Sequence, residues 1–260
     1  QKCTILESPA VSFVSTAVQK LSLVARWMGQ SEFGSYLSYL QGYMQDLMHS
    51  LMQNRYLKNH VLPYLAILGF SLFPMLACAK TILIVGDSLS AGYGMQPQQG
   101  WVYLLQKRLD QQYPKAHKVV NASVSGETTS GALARLPKLL QMHAPHVVVI
   151  ELGGNDGLRG QPPQLIQQNL AQLIQKSQQA KAEVILFGMK IPPNYGTAYS
   201  KAFENSYKTV SQQYKVKLLP FFLAGAAGKK DLIQSDQIHP NAKAQPILLK
   251  NAYPYIVGAL

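Results

Sequence analysis

From Lys80 onward the sequence predicts a flavodoxin-like α/β fold, a three-layer α/β/α sandwich around a five-stranded parallel sheet. Three observations predict it. Short apolar runs alternate with longer amphipathic stretches through the whole of this segment. The apolar runs are nearly continuous, as strands buried on both faces are, instead of alternating in polarity. Finally, Asp87-Ser88, Ser125-Gly126 and Asn155-Asp156 each follow an apolar run. That is where ligands bind in open parallel sheets, and core packing alone does not require it.

The elements follow in order. Thr81–Val85 (TILIV) is a buried strand ended by Gly86. Trp101–Gln112 carries Trp101, Leu104, Leu105 and Leu109 at helical spacing. Val119–Val124 is the second strand and Gly131–Met142 the second helix. Val147–Leu152 (VVVIEL) is the clearest strand, bounded by Pro145 and Gly153-Gly154. Gln164–Ala180 is helical, with Leu165, Ile166, Asn169, Leu170, Leu173 and Ile174 on or near one face. Val184–Gly188, a helix over Ala198–Tyr214 and a strand over Val216–Phe222 complete the alternation, and Pro240 opens a last helical stretch.

The segment ahead of this domain reads differently. Arg55, Lys58 and His60 precede an uncharged run of 16 residues from Val61 to Leu76, then Ala77-Cys78-Ala79. A basic leader, an apolar stretch and a small-x-small site are the parts of a secretory signal peptide. The run is short for a membrane span of about 20 residues. Cleavage after Ala79 is expected, giving a periplasmic or secreted protein. Leu76-Ala77-Cys78 also resembles an imperfect lipoprotein box, the second reading of the same residues. Residues 1–54 carry no chemistry, and the chain begins with Gln1. The expectation is that residues 1–51 are not part of the natural product and that Met52 starts a normal leader. The domains are then 1–54, an extension; 55–79, a signal peptide; and 80–260, the functional domain.

Both cysteines, Cys3 and Cys78, fall outside 80–260. That domain therefore has no disulfide, thiol nucleophile or thiolate metal site. It holds 19 Lys and Arg against 9 Asp and Glu, net +10, a charge that favours contact with an anionic membrane surface or acidic ligand. Solvated lysines are the plainer reading. No basic run exceeds Lys229-Lys230, so nucleic acid is set aside.

Ser88 stands at a strand-to-helix turn, where a serine presents its hydroxyl to a crevice and its backbone N–H to a developing oxyanion. The α/β-hydrolase elbow G-x-S-x-G is absent, because Gly86-Asp87-Ser88-Leu89 is followed by Ser90. A helix cap would explain Ser88 equally well by itself. In Asp236-Gln237-Ile238-His239-Pro240, a spacing of three lets Asp236 reach His239 within one turn and orient its ring. A capping Asp beside a surface histidine is the alternative there. His117, His143 and His146 lack such an acidic neighbour and the context of a metal site.

Gly86-Asp87-Ser88-Leu89, Gly126, Gly153-x-Asn155-Asp156 and Asp236-x-x-His239-Pro240 occur in the order and spacing of the SGNH/GDSL hydrolases. The resemblance covers nearly all of 80–260. GDSLSAGYGM, VVNASVSGETTSGALARLP, ELGGNDGLRG, PPNYG and LLPFF are similar to its periplasmic thioesterase/lysophospholipase branch. Glu127 departs from the pattern, since Asp more often follows the glycine; a longer carboxylate there should leave catalysis intact.

The resemblance implies Ser88 as nucleophile, His239 as general base and then acid, and Asp236 as the group orienting His239. It implies an oxyanion hole from the backbone N–H groups of Ser88 and Gly126 and the side-chain amide of Asn155, with Asp156 bracing the loop. No metal or cofactor is implied. Gly157-Leu158-Arg159-Gly160 and Ile191-Pro192-Pro193 look like the loops bordering an acyl groove, making Leu158, Arg159 and Ile191 candidate substrate contacts. Loop packing by Leu158 and Ile191, and solvation of Arg159, would look the same in sequence. The implied activity is hydrolysis of acyl esters and thioesters, such as lysophospholipids, acyl-CoA and aryl esters, by a monomer. A carbohydrate O-deacetylase of the same fold and a catalytically inactive lipid-binding envelope protein are the alternatives.

Overall fold

The computed structural model describes residues 80–260 and four upstream positions, Gly42, Tyr43, Gln45 and Asp46, which are helical and exposed. The expected signal peptide at 55–79, and the rest of the expected extension at 1–54, lie outside the described residues. The described residues from Lys80 to Leu260 belong to one compact unit.

Strands β1 (Lys80–Gly86), β2 (His117–Asn121), β3 (Val147–Glu151), β4 (Glu183–Phe187) and β5 (Lys217–Leu219) form one sheet in the order β2-β1-β3-β4-β5. All four pairings are parallel. Ile82–Val85 of β1 and Val147–Ile150 of β3 have no exposed surface, which accounts for their unbroken apolar sequence. Burying each such side chain stabilises by roughly 1.5–3 kcal/mol.

Helices α2 (Trp101–Gln112) and α7 (Gln245–Val257) pack against one another as one layer. In the other layer α5 (Pro163–Gln179) packs between α3 (Thr129–His143) and α6 (Thr197–Tyr214). Trp101, Leu105 and Leu109 recur every four residues along α2 and are fully buried, so one stripe of the helix faces the sheet. Two short turns, α1 (Ser88–Ala91) and α4 (Gly154–Leu158), follow β1 and β3 directly. The chain leaves β1 towards one edge and β3 towards the other, so these turns face a topological switch point. Among the described residues no helix is long and apolar enough to cross a membrane.

Three expected boundaries move. The second strand, expected over 119–124, ends at Asn121, whose side-chain oxygen accepts the N–H of Ser123 at 3.2 Å and turns the chain out of the sheet. The fifth, expected over 216–222, is only Lys217–Leu219, because Pro220 has no N–H to extend the ladder. The last helix opens at Gln245, not at Pro240. Pro240 instead pairs with Ile233 in an antiparallel bridge, and Asn241 caps a 3₁₀ turn over Ala242–Ala244 by accepting from Lys243 N–H at 2.9 Å.

Candidate active site

Asp87 caps α1 through a 3.0 Å bond from the N–H of Leu89, which makes Ser88 the first residue of that turn. The residue is largely buried, and its Oγ lies 2.8 Å from His239 Nε2. On the far side of the imidazole, Nδ1 is 2.6 Å from Asp236 Oδ2. The loop carrying both residues is closed by Gln234 N–H donating to the His239 carbonyl at 2.7 Å and Asn241 N–H to that of Leu232 at 2.8 Å. Within it, Asp236 Oδ1 accepts the backbone N–H groups of His239 at 3.0 Å and Ile238 at 2.9 Å. Those two bonds lead the effects that hold the Asp236 carboxyl down at about 2. It stays ionised wherever the histidine has to accept a proton. The Tyr93 ring packs on the imidazole with centroids 4.6 Å apart.

The donors also converge from separate loops. Gly126 follows β2 in the left-handed region at φ 77°, and neither its N–H nor that of Ser88 has an acceptor among the described residues. Asn155 is the second residue of α4, behind Gly153 at φ 103°, where a Cβ would collide with the Tyr207 hydroxyl. Its Nδ2 donates to Asp87 Oδ2 at 3.1 Å and to the Glu127 carbonyl at 3.0 Å. The amide plane is therefore held between the turns that follow β1 and β2.

Residues 84–246 match the GDSL-like Lipase/Acylhydrolase family. The chain belongs to that family. It is 52% identical over 188 residues to Esterase TesA of Pseudomonas aeruginosa, covering 72% of this chain and 92% of that one. To Thioesterase 1/protease 1/lysophospholipase L1 of Escherichia coli it is 46% identical over 172 residues, 66% of this chain and 81% of the other. Among solved structures, a crystal structure of TesA superposes with a TM-score of 0.68 at 51% identity, covering 70% of this chain and 100% of that one. The psychrotrophic esterase EstA from Pseudoalteromonas sp., inhibited by monoethylphosphonate, gives 0.66 at 49% identity, over 69% and 97%.

Within this family architecture, residues flanking the Ser88 turn take distinct places. Asp156 does not face Ser88; its carboxylate accepts Thr129 Oγ at 2.6 Å and Thr129 N–H at 3.0 and 3.2 Å, tying α4 to the start of α3. Glu127, the departure from the pattern, pairs with Arg135 at 2.7 Å, which also donates to the Ala122 carbonyl. Arg159 is exposed and donates from Nη2 to the Gly126 carbonyl at 3.2 Å, linking the loops after β2 and β3. Leu158 is partly exposed. Ile191 is buried, with a Cβ at Gly157 falling 2.7 Å from its Cγ2, so it lies beneath α4. A cleft of about 300 Å³ opens behind the turn, between Ser90, Tyr103, Gln106 and Asn121.

Sequence reasoning missed the carboxyls behind Ser88. Asp87 is almost wholly buried, and burial pushes its carboxyl up to about 6 against the lowering effect of the Leu89 N–H and the charge of His239. Glu151 has no exposed surface; burial, then the charge of Asp87, hold it well above the ordinary carboxylate range. The signal was available, since Glu151 is the one charge in the run VVVIEL.

Proposed function

We propose that this member of the GDSL-like lipase/acylhydrolase family hydrolyses acyl esters and thioesters through an acyl-enzyme on Ser88. The observation that carries the reading is the unbroken contact Ser88 Oγ–His239 Nε2–His239 Nδ1–Asp236, at 2.8 and 2.6 Å. Ser88 Oγ attacks the acyl carbonyl carbon while its proton passes to His239 Nε2. Asp236 stabilises the imidazolium and holds the tautomer. The carbonyl oxygen becomes the oxyanion and takes hydrogen bonds from Ser88 N–H, Gly126 N–H and Asn155 Nδ2, each donor being worth up to about 3–4 kcal/mol. Of the two Asn155 amide hydrogens, the one now on the Glu127 carbonyl turns to the oxyanion. The other is held by the Asp87 carboxylate, a charge-assisted and stronger bond.

Collapse expels the alkoxide or thiolate, protonated by His239, and leaves the acyl group on Ser88. Water, deprotonated by His239, attacks the ester so formed. A second oxyanion forms in the same donors, and its collapse returns the proton to Ser88 and releases the carboxylic acid.

For the substrate, the relatives named esterase and thioesterase/lysophospholipase support broad use of acyl chains. Leu158 borders the alkyl chain, Ile191 shapes that wall from beneath α4, and Arg159 meets an anionic headgroup where one is present. The charge of +10 over 80–260 supports peripheral contact with an anionic membrane. Ser88, Asp236 and His239 come from one chain, which supports action as a monomer. The Arg55–Ala79 pattern supports export, to the periplasm or outside.

Ser88→Ala tests the reading. Turnover of p-nitrophenyl butyrate should fall by about 10⁴–10⁶-fold with folding unchanged; turnover at the unsubstituted rate would remove the nucleophile. Comparing p-nitrophenyl acetate, longer esters and lysophosphatidylcholine tests the substrate class, and activity confined to acetyl groups would refute it.

A further inference from the structure

Glu151 ends β3 with no exposed surface, and no step of the proposed hydrolysis uses it. In the parallel register it stands beside Gly86. A Cβ on Gly86 would lie 2.7 Å from Glu151 Oε2 and 2.9 Å from Ser90 Cβ and Oγ. The carboxyl therefore fills the space against the backbone just ahead of the nucleophile. Its Oε2 accepts Ser90 Oγ–H at 2.6 Å and Asp87 N–H at 3.3 Å, from residues on either side of Ser88. Ser90 Oγ in turn accepts Trp101 Nε1–H at 3.2 Å, so the turn is tied through Glu151 to β3 and through Ser90 to α2.

We infer that Glu151 is a positioning residue for this reaction, gripping the nucleophile turn through Ser90 and the Asp87 peptide and so fixing where Ser88 stands. The inference rests on the reading of Ser88 as nucleophile.

The chemistry of the site says in which form Glu151 does this. Its Oε1 has no hydrogen-bond partner among the described residues. A bare anionic oxygen in a fully buried place is far costlier than a neutral one. The nearby Asp87 carboxyl adds repulsion, so Glu151 is the one of the two pushed further towards its neutral form. The charge falls on Asp87, where the Leu89 N–H, the Asn155 amide and His239 favour it, with Asp156 opposing. The Tyr207 phenol, which donates to the Leu152 carbonyl at 2.8 Å, is the other titratable group facing the pair. Glu151 thus works as a neutral acid and leaves Asp87 charged to hold Asn155.

The test compares Glu151→Gln, Glu151→Leu and Ser90→Ala, with Ser88→Ala as reference. The readouts are kcat and KM for p-nitrophenyl butyrate from pH 5 to 9, and the rate of inactivation by a p-nitrophenyl phosphonate. Glutamine keeps an acceptor and is neutral, so its kcat should stay within about threefold, with the acid limb in place. Leucine removes the acceptor, so kcat and inactivation rate should fall together by about tenfold or more at unchanged KM, as for a misplaced nucleophile. Ser90→Ala should show part of that loss, and it decides the matter if the leucine variant does not fold. Glutamine falling as far as leucine would overturn the neutral-acid assignment. Unsubstituted kcat in both Glu151→Leu and Ser90→Ala, or in Ser90→Ala alone where leucine does not fold, would overturn the inference. If Ser88→Ala is inactive in the same series, only the inference fails; if Ser88→Ala turns over, the underlying reading fails.

Discussion

Asn155→Ala isolates the one proposed oxyanion donor that comes from a side chain. In the free protein its Nδ2 bridges Asp87 Oδ2 and the Glu127 carbonyl at 3.1 and 3.0 Å, so the substitution deletes a donor that leaves the Glu127 carbonyl for the oxyanion. Loss of one such donor costs about 2.7–4 kcal/mol in the transition state, a fall of about 10²–10³ in kcat. The ground-state carbonyl gains little from the same donor, so KM should move less than about threefold. A second effect is specific to this arrangement. The Asn155 amide helps lower the Asp87 carboxyl, which already stands at about 6. Without it that group moves higher, but it then holds no donor, so the acid limb of kcat should no longer carry an Asp87 contribution. Steady-state hydrolysis of p-nitrophenyl butyrate from pH 5 to 9, with a thermal melt beside it, reads all three quantities. A loss below about fivefold, or one carried by KM, would refute the donor role.

The neighbouring residue should behave oppositely. Asp156→Ala strips the acceptor from Thr129 N–H and Oγ, which are fully buried, at about 1–3 kcal/mol. Its melting temperature should drop by several degrees while kcat stays within about threefold. Asp236→Asn keeps the shape of the loop but not the charge facing imidazolium, and kcat should fall by about 10⁴ with KM nearly constant. Because the Asp236 carboxyl is depressed to about 2 in the folded state, it contributes stability above the unfolded value near 3.8 that is lost as pH falls towards 2. Acid unfolding of the asparagine variant should be shallower there. Asp87 has the opposite sign: raised to about 6, it binds its proton more tightly folded than unfolded, so stability declines as pH rises from about 4 to 6. Melts of Asp87→Asn should flatten across that window, and an unaltered slope would contradict the assignment.

Residues at strand ends were readable in the sequence because their neighbours are short-range. Ser88 lies two residues after β1, and Asp236 and His239 share one loop whose backbone N–H groups the aspartate itself accepts. Long-range pairings were not readable from the residues themselves; the Ser88–His239 contact, across 151 residues, came from the family resemblance. Asp87 meets Asn155 across 68 residues, Glu151 meets Ser90 across 61, and only the register of β1 against β3 brings them together. Glu151 was hidden further by its setting, since a charge at the end of an apolar run reads as the place where a strand reaches solvent. Ile191 shows the converse: the sequence left it open between an acyl-groove contact and plain loop packing, and its side chain packs under Gly157. The start of α7 was misplaced because Pro240 suits a first helical turn, whereas the antiparallel bridge to Ile233 claims it.

The central claim is that Ser88 Oγ is the atom that becomes acylated. Incubation with a p-nitrophenyl phosphonate, followed by intact-mass and peptide analysis, tests it most directly. One adduct per chain is expected, on the peptide carrying Ser88, accumulating in step with loss of esterase activity. His239→Ala should slow the reaction by several orders of magnitude. Full inactivation with the label on any other residue, or with Ser88 unmodified, would contradict it.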